Sequence, residues 1–188
     1  MKTSYLFLAE GFEETEATTI VDMMRRAGMP IKTVSITSQK EVKGAHGIAV
    51  IADMLYEPQN IVDIDWLILP GGLPGTTHLG EFKLLRQLLK NHASAKGNIA
   101  AICAAPSVLG DLGLLNGKNA TCYPGFESHL AGGTYTAKAV EVSNNIITGK
   151  GPGMAIAFTL AIIVKSLGKD KAHRSEERRV GKECRSRW

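Results

Sequence analysis

Three cysteines in 188 residues are too few for a disulfide framework, so the fold has to rest on a buried core in a reducing compartment. No apolar run approaches the roughly 20 residues that cross a bilayer. Met1-Lys2-Thr3-Ser4 leads into a run of strand length, Tyr5 to Ala9, and not into a signal sequence. A cytoplasmic location without membrane contact is expected. The histidines (His46, His78, His92, His129 and His173) show no close ligand spacing, so no metal is expected, and His92 reads as solvated on a helix face. Gly149 to Met154, "GKGPGM", lacks the pattern of a phosphate loop, so no nucleotide or other cofactor is expected.

The net charge of +4 suggests nucleic acid, but its distribution argues against it. The last segment, "RSEERRVGKECRSRW" (174–188), holds six of the 22 basic residues and three of the 18 acidic ones. The rest of the chain is close to neutral. The tail breaks abruptly from the preceding sequence and reads as an in-frame translation of sequencing-adapter DNA, beginning at or near Arg174. The expected organisation is a single domain over 1–173 followed by a non-native tail over 174–188, with no specific nucleic-acid binding.

Short apolar runs alternate with helical patterns. Strands are predicted at Tyr5–Ala9, Ile31–Thr37, Asp65–Pro70 and Asn98–Cys103, with a hairpin around Gly44–Gly47. A further strand is predicted near Ala120–Cys122, and a strand pair around Asn144-Asn145. Helices are predicted at Glu13–Ala27, Glu81–Ser94, Ala104–Gly113 and Pro152–Gly168. This alternation implies an α/β fold with a doubly wound parallel sheet, whose sites lie at the carboxyl ends of the strands.

Three strand ends carry chemistry. Cys103 in "NIAAICAAPSVLG" stands where a strand stops and a helix starts. Such a corner exposes the side chain, as in a nucleophile elbow, and the helix start favours a thiolate. In "EGFEETEA", Glu13, Glu14 and Glu16 all fall in the first helical turn. Only one of them needs to face the crevice, and spacing does not choose between Glu13 and Glu16. A carboxyl beside Cys103 has to be protonated when the sulfur is ionised. In "LPGG", the amides of Gly71 and Gly72 are candidates, with that of Ala104, for an oxyanion hole. Cys122 reads as core.

In order along the chain, "EGFEETEA", "VDMMRRAG", "LILPGG", "AAICAAPSVL" and "TGKGPG" resemble the ThiJ/PfpI family over residues 2–173, on its short, bacterial and human-type branch. The resemblance implies a flavodoxin-like sandwich, related to the class I glutamine amidotransferases, and a homodimer. It implies a reactive Cys103 with Glu16 as its acid partner, and oxyanion-binding amides at Gly71, Gly72 and Ala104. The implied activities are conversion of methylglyoxal-type α-oxoaldehydes, repair of glycated protein or nucleotides, redox-dependent chaperoning and oxidative-stress sensing. Tyr123 stands where relatives often place a histidine, which disfavours peptidase or amidotransferase chemistry; Tyr123 is a candidate hydrogen-bond donor to substrate. His46 stands where relatives carry an arginine and is expected to reach across the dimer contact. The expected function is a cysteine-dependent, cofactor-free glyoxalase or deglycase. The alternative is an oxidative-stress sensor and redox-regulated chaperone acting through oxidation of Cys103.

Overall fold

The computed structural model describes residues 2–170, so the tail at 174–188 lies outside the described residues. Along the chain the strands are β1 (Thr3–Leu8), β2 (Ile31–Ser35), β3 (Glu41–Lys43), β4 (Ala49–Ile51), β5 (Met54–Leu55) and β6 (Ile64–Leu69). They continue as β7 (Asn98–Ile102), β8 (Asn119–Ala120), β9 (Thr134–Tyr135), β10 (Val140–Ser143) and β11 (Ile146–Gly149). The helices are α1 (Glu14–Arg26), α2 (Gly75–Glu81), α3 (Lys83–Ser94), α4 (Pro106–Asp111) and α5 (Ala155–Leu167).

Alternate residues of the central strands enter two different cores, as strands covered on both faces require. In β6, Trp66 and Ile68 join the core under α1 and α5, while Leu67 and Leu69 join the core under α3 and α4. β1 and β7 divide their side chains in the same way. Phe158 and Ile162 of α5 and Ile20 of α1 close the first core; Leu85, Leu89 and Leu109 close the second. The result is a flavodoxin-like α/β sandwich.

The main sheet has seven strands in the order β10-β11-β7-β6-β1-β2-β5. All neighbours are parallel except β10 and β11, which turn back through Asn144 at φ 54°. From β1 the chain moves to β2 on one side, and β6 then enters on the other side of β1. That reversal is the topological switch point, where a crevice opens at the strand carboxyl ends. The ends of β1, β6 and β7 are therefore adjacent.

Several elements differ from the sequence expectation. The helix expected at Glu81–Ser94 begins at Lys83. Phe82 breaks it with extended backbone and packs edge-on against Tyr56, 5.1 Å between ring centroids. The preceding α2, rich in glycine and threonine, has little intrinsic helix propensity and is anchored by the fully buried Leu79. The expected strand at Ala120–Cys122 shrinks to β8, paired with β9 in a small separate sheet. The helix after Cys103 spans only Pro106–Asp111. Among the described residues no helix is long and apolar enough to cross a membrane.

Candidate active site

β7 ends at Ile102, and the next residue leaves the strand. Cys103 takes φ 64°, a left-handed conformation rarely adopted by a non-glycine residue and characteristic of strained functional turns. Ile102 and Cys103 are consecutive yet join the same core, which an extended strand forbids. Its neighbours hold the turn. The Cys103 amide donates to the Gly149 carbonyl at 2.9 Å, and the Cys103 carbonyl accepts the Tyr123 amide at 2.8 Å. Ser107 Oγ donates to the Ala104 carbonyl at 2.7 Å. Cys103 is only 8% exposed, at the floor of the crevice. The strand–turn–helix corner forms, but it buries the side chain that it was expected to expose.

Glu16 lies behind that thiol, fully buried. Its Oε2 accepts the Gly71 amide at 2.7 Å, and its Oε1 has no hydrogen-bond partner among the described residues. Gly71 makes this closeness sterically feasible. A Cβ there would lie 2.5 Å from Cys103 Cβ and 3.0 Å from both Cys103 Sγ and Glu16 Oε2. Gly72 is required for a second reason. Its φ is 89°, and a Cβ would run into the Gly11 carbonyl oxygen at 2.6 Å. The amides of Gly72 and Ala104 act on the Cys103 sulfur in the direction that favours its ionised form. The Gly71 amide, expected to share the oxyanion hole with these two, is instead committed to Glu16.

The two acids of this pair resist ionising together. Burial pushes Glu16 up to about 7; the Gly71 amide and Cys103 oppose that rise, and the nearby Glu13 charge adds to it. Burial also pushes the Cys103 thiol up to about 12, helped by the Glu16 charge and opposed by the Gly72 and Ala104 amides. The expectation that the helix start alone makes a resting thiolate is therefore corrected. The helix has only six residues, and burial, with the Glu16 charge behind the sulfur, outweighs it. The pair releases one proton near neutrality and retains the other, so sulfur and carboxyl share a single negative charge.

Above the thiol lies an open cleft of about 760 Å³. Glu13 from the start of α1, Ala45 and His46 from the β3–β4 hairpin, and Leu73 after β6 reach it. Tyr123 and Phe126, from the loop after β8, complete it. Glu16 and Gly71 stand behind this surface.

Residues 2–165 match the DJ-1/PfpI family. The chain belongs to the DJ-1/PfpI family. This is the family its motifs resemble. It is 36% identical to the protein dj-1beta of Drosophila melanogaster over 90% of this chain and 92% of that one. It is 38% identical to the DJ-1 homolog B of Arabidopsis thaliana over 88% of this chain, spanning only 38% of that longer protein. A Caenorhabditis elegans relative named a glutathione-independent glyoxalase is 32% identical over 87% of this chain and 88% of its own length. The solved structure of oxidised DJ-1 from Toxoplasma gondii superposes with a TM-score of 0.91 at 33% identity, covering 96% of this chain and 98% of that one.

The other glutamates of this DJ-1/PfpI chain do different work. Glu13 caps α1, accepting the Thr15 amide at 3.4 Å, and borders the cleft. Glu14, buried, anchors the hairpin tip: Oε1 accepts the amides of His46 at 2.7 Å and Ile48 at 3.3 Å, and Oε2 meets His46 Nδ1 at 2.9 Å. Burial works against the Glu14 charge, but these bonds prevail and lower its pKa. His46 is raised in turn by its hydrogen bond to Glu14 and by the charges of Glu13 and Glu14. Within its own chain, His46 is thus held by these two acids. Glu13, Glu14 and His46 also bring ligand atoms within 4.8 Å of one another and are the described residues that could hold a cation. Residues 13 and 46 are too far apart along the chain for ligand spacing to show it.

Tyr123 is 46% exposed, and its ring covers Gly151, where a Cβ would come 3.1 Å from Tyr123 Cδ2. Cys122 is fully buried in the other core with its thiol pushed up to about 11 by burial, with Glu127 adding; it is a core residue, as expected. His92 does not stand in solvent as expected. It is half-buried against Gly97, where any Cβ would collide with the imidazole, and burial lowers its pKa.

Proposed function

We propose that this chain is a cysteine-dependent, cofactor-free glyoxalase or deglycase acting on methylglyoxal-type α-oxoaldehydes or their adducts. The observation that carries the reading is the buried Glu16 carboxyl, held by the Gly71 amide behind Cys103 at the floor of an open cleft. In the singly protonated pair, Glu16 takes the thiol proton as sulfur attacks the aldehyde carbon. The Gly72 and Ala104 amides favour the developing oxyanion, which Glu16 reprotonates to a hemithioacetal. Glu16 then removes the proton from the former aldehyde carbon and returns it to the neighbouring carbon, while the hemithioacetal hydroxyl proton passes to the neighbouring oxygen. The product is a thioester of the 2-hydroxy acid, which water cleaves to release the acid and restore the thiol. The overall change adds one water to the oxoaldehyde and needs no external oxidant or reductant.

The test is lactate formation from methylglyoxal by the wild type, Cys103→Ser and Glu16→Gln in a buffer without primary amines. Both variants are expected to lose at least a hundredfold in turnover. Wild-type rates in Cys103→Ser would overturn the proposal.

A second reading, oxidative-stress sensing with redox-regulated chaperoning, draws support from Glu16 Oε1, buried without a partner, and from the oxidised Toxoplasma gondii relative. Peroxide would convert the ionised sulfur to sulfenic acid, releasing hydroxide, and a second peroxide would give the sulfinic acid. Protonated Glu16 would then donate to a sulfinate oxygen. Peptide mass spectrometry after mild peroxide is expected to find sulfinate at Cys103; oxidation of Cys122 with Cys103 untouched would eliminate this reading.

A further inference from the structure

We propose that Thr148 is a positioning residue for Cys103: its hydroxyl pins the loop after β8 to the end of β11, and through that loop holds the left-handed turn that sets the sulfur beside Glu16. The inference rests on Cys103 as the reactive centre, which both functional readings share, and on no particular substrate.

The turn is not held by its own segment. Cys103 sits at φ 64°, and α4, which follows it, has no side-chain cap. A strained backbone persists only where its surroundings impose it. Two long-range hydrogen bonds do so. The Gly149 carbonyl accepts the Cys103 amide at 2.9 Å, and the Cys103 carbonyl accepts the Tyr123 amide at 2.8 Å. The first partner is firmly placed. Gly149 ends β11 inside the main sheet, packed so closely that a Cβ would lie 2.8 Å from Phe158 Cδ2 and 2.9 Å from Ile102 Cγ1. The second partner has no such frame of its own. Residues 121–123 are irregular backbone after a strand of two residues.

Thr148 supplies what that loop lacks. Its Oγ1 accepts the Thr121 amide at 2.9 Å, across 27 residues. Thr148 and Gly149 are consecutive, so the end of β11 holds the turn from both sides. The path closes on itself, from Gly149 through Cys103, Tyr123 and Thr121 back to Thr148.

The strand itself does not call for a hydroxyl at this position. Ile147 enters the first core and Ile146 the second, so alternation turns Thr148 to the second, the side of Ala120 and Cys122. Thr148 is 1% exposed and Thr121 is fully buried. Valine would fill the same volume and suits a strand as well. The Thr121 amide explains the hydroxyl, because a buried donor has to be satisfied. Without its acceptor that donor is orphaned, and the loop is released from β11. The Thr121 hydroxyl makes a separate bond, to the Lys138 carbonyl at 2.7 Å, which ties the loop to the segment before β10 and lies outside the closed path.

The test follows alkylation of Cys103 by iodoacetamide against pH in the wild type, Thr148→Val, Thr148→Ser and Thr121→Val, with the label assigned by peptide mass spectrometry. Methylglyoxal turnover is measured in parallel. The wild type is expected to show a rise through about 7, set by the Glu16 pair. In Thr148→Val that rise should be lost, with reactivity climbing instead toward the ordinary thiol range of about 8.5. Its kcat for methylglyoxal should fall about tenfold, with KM within about twofold of the wild type. Thr148→Ser should restore both, and Thr121→Val should keep both. A loss of stability alone would leave the profile of the folded protein in place. A wild-type profile in Thr148→Val, no rescue by Thr148→Ser, or an equal change in Thr121→Val overturns the proposal. If Thr148→Val does not fold, Thr148→Ser against Thr148→Ala, which differ by the hydroxyl alone, makes the same comparison. The expected profiles without methylglyoxal turnover in any of the proteins support the pin and instead refute the glyoxalase reading.

Discussion

Glu16 accepts the Gly71 amide at 2.7 Å, and Gly71 has no side chain to separate that carboxyl from the Cys103 thiol. One residue therefore does two things: its amide orients the acid, and its bare Cα brings acid and sulfur together. The cost is electrostatic, because two groups that ionise in water are forced to share one charge in a buried site.

Gly71→Ala is predicted to break the site. The added methyl would sit 2.5 Å from Cys103 Cβ, closer than carbon atoms tolerate, with the buried Cys103 Sγ and Glu16 Oε2 each at 3.0 Å. Overpacking of this kind costs about 1–3 kcal/mol. Thermal unfolding should show that loss, and methylglyoxal turnover should fall at least tenfold further than stability accounts for. Unchanged turnover would mean that the pair is not the reactive centre.

The reactivity of Cys103 should follow the pair and not the sulfur alone. Alkylation by iodoacetamide is expected to rise with pH through about 7, where the pair sheds its first proton, and then to level. In Glu16→Gln the sulfur no longer faces a carboxylate, so its own titration should fall below about 12. Thiolate absorbance near 240 nm against pH reads this directly. Glu16→Gln should therefore form a thiolate at lower pH than Glu16 ionised allows, and still turn over substrate poorly because the proton carrier is gone. Identical profiles in both proteins would refute the coupling.

Glu16 also makes stability depend on pH, with a sign opposite to that of a salt-bridged carboxylate. Its folded value, about 7, lies above the ordinary 4.5, so the folded protein binds this proton more tightly than the unfolded chain does. The stabilisation is complete below 4.5, declines as pH rises to about 7 and is absent above it. The full swing is on the order of 3 kcal/mol. Urea unfolding at pH 5 and pH 8 should show the decline in the wild type and a flatter response in Glu16→Gln, with the variant the more stable at pH 8. A variant less stable than the wild type at pH 8 would contradict this account.

The hairpin tip should depend on Glu14. Its Oε1 holds the amides of His46 and Ile48, and in Glu14→Ala those amides are expected to exchange with deuterium at least tenfold faster. The Glu14–His46 side-chain bond is also pH-dependent. His46 is raised above its ordinary 6.5, so its contribution is complete below 6.5 and is lost as pH climbs through the raised value. Protection of the tip should weaken over that range and remain partial above it, because the amide bonds to Oε1 do not titrate. No change in exchange in Glu14→Ala would remove Glu14 from this role.

Much of the architecture is legible in the sequence because strand burial on both faces leaves a local trace. The run "WLIL" can only be covered on two sides, and Trp66 to Leu69 are indeed fully buried. The corner at Cys103 is legible for a similar reason: a small apolar strand runs directly into Pro106, which starts helices well. Phe82 was not legible. The periodicity of "EFKLLRQLL" continues through it, and only its packing against Tyr56, 26 residues earlier, explains the break.

The amino-acid sequence by itself determined the alternation of strands and helices, the corner that turns Cys103 out of β7 and the acids that gather at the start of α1. These are local properties of propensity, periodicity and turn chemistry. The family resemblance pointed to Glu16, and the tertiary structure supplied the physical ground for it: Glu16 reaches Gly71 across 55 residues, while Glu14 reaches His46 across 32. Tertiary structure alone also decided that the Gly71 amide serves the acid, that burial and the Glu16 charge push the Cys103 thiol up, and that the Tyr123 ring covers Gly151. Each of these depends on burial and on contacts between distant segments, since the energy of a charge or an aromatic ring is set by what surrounds it in space.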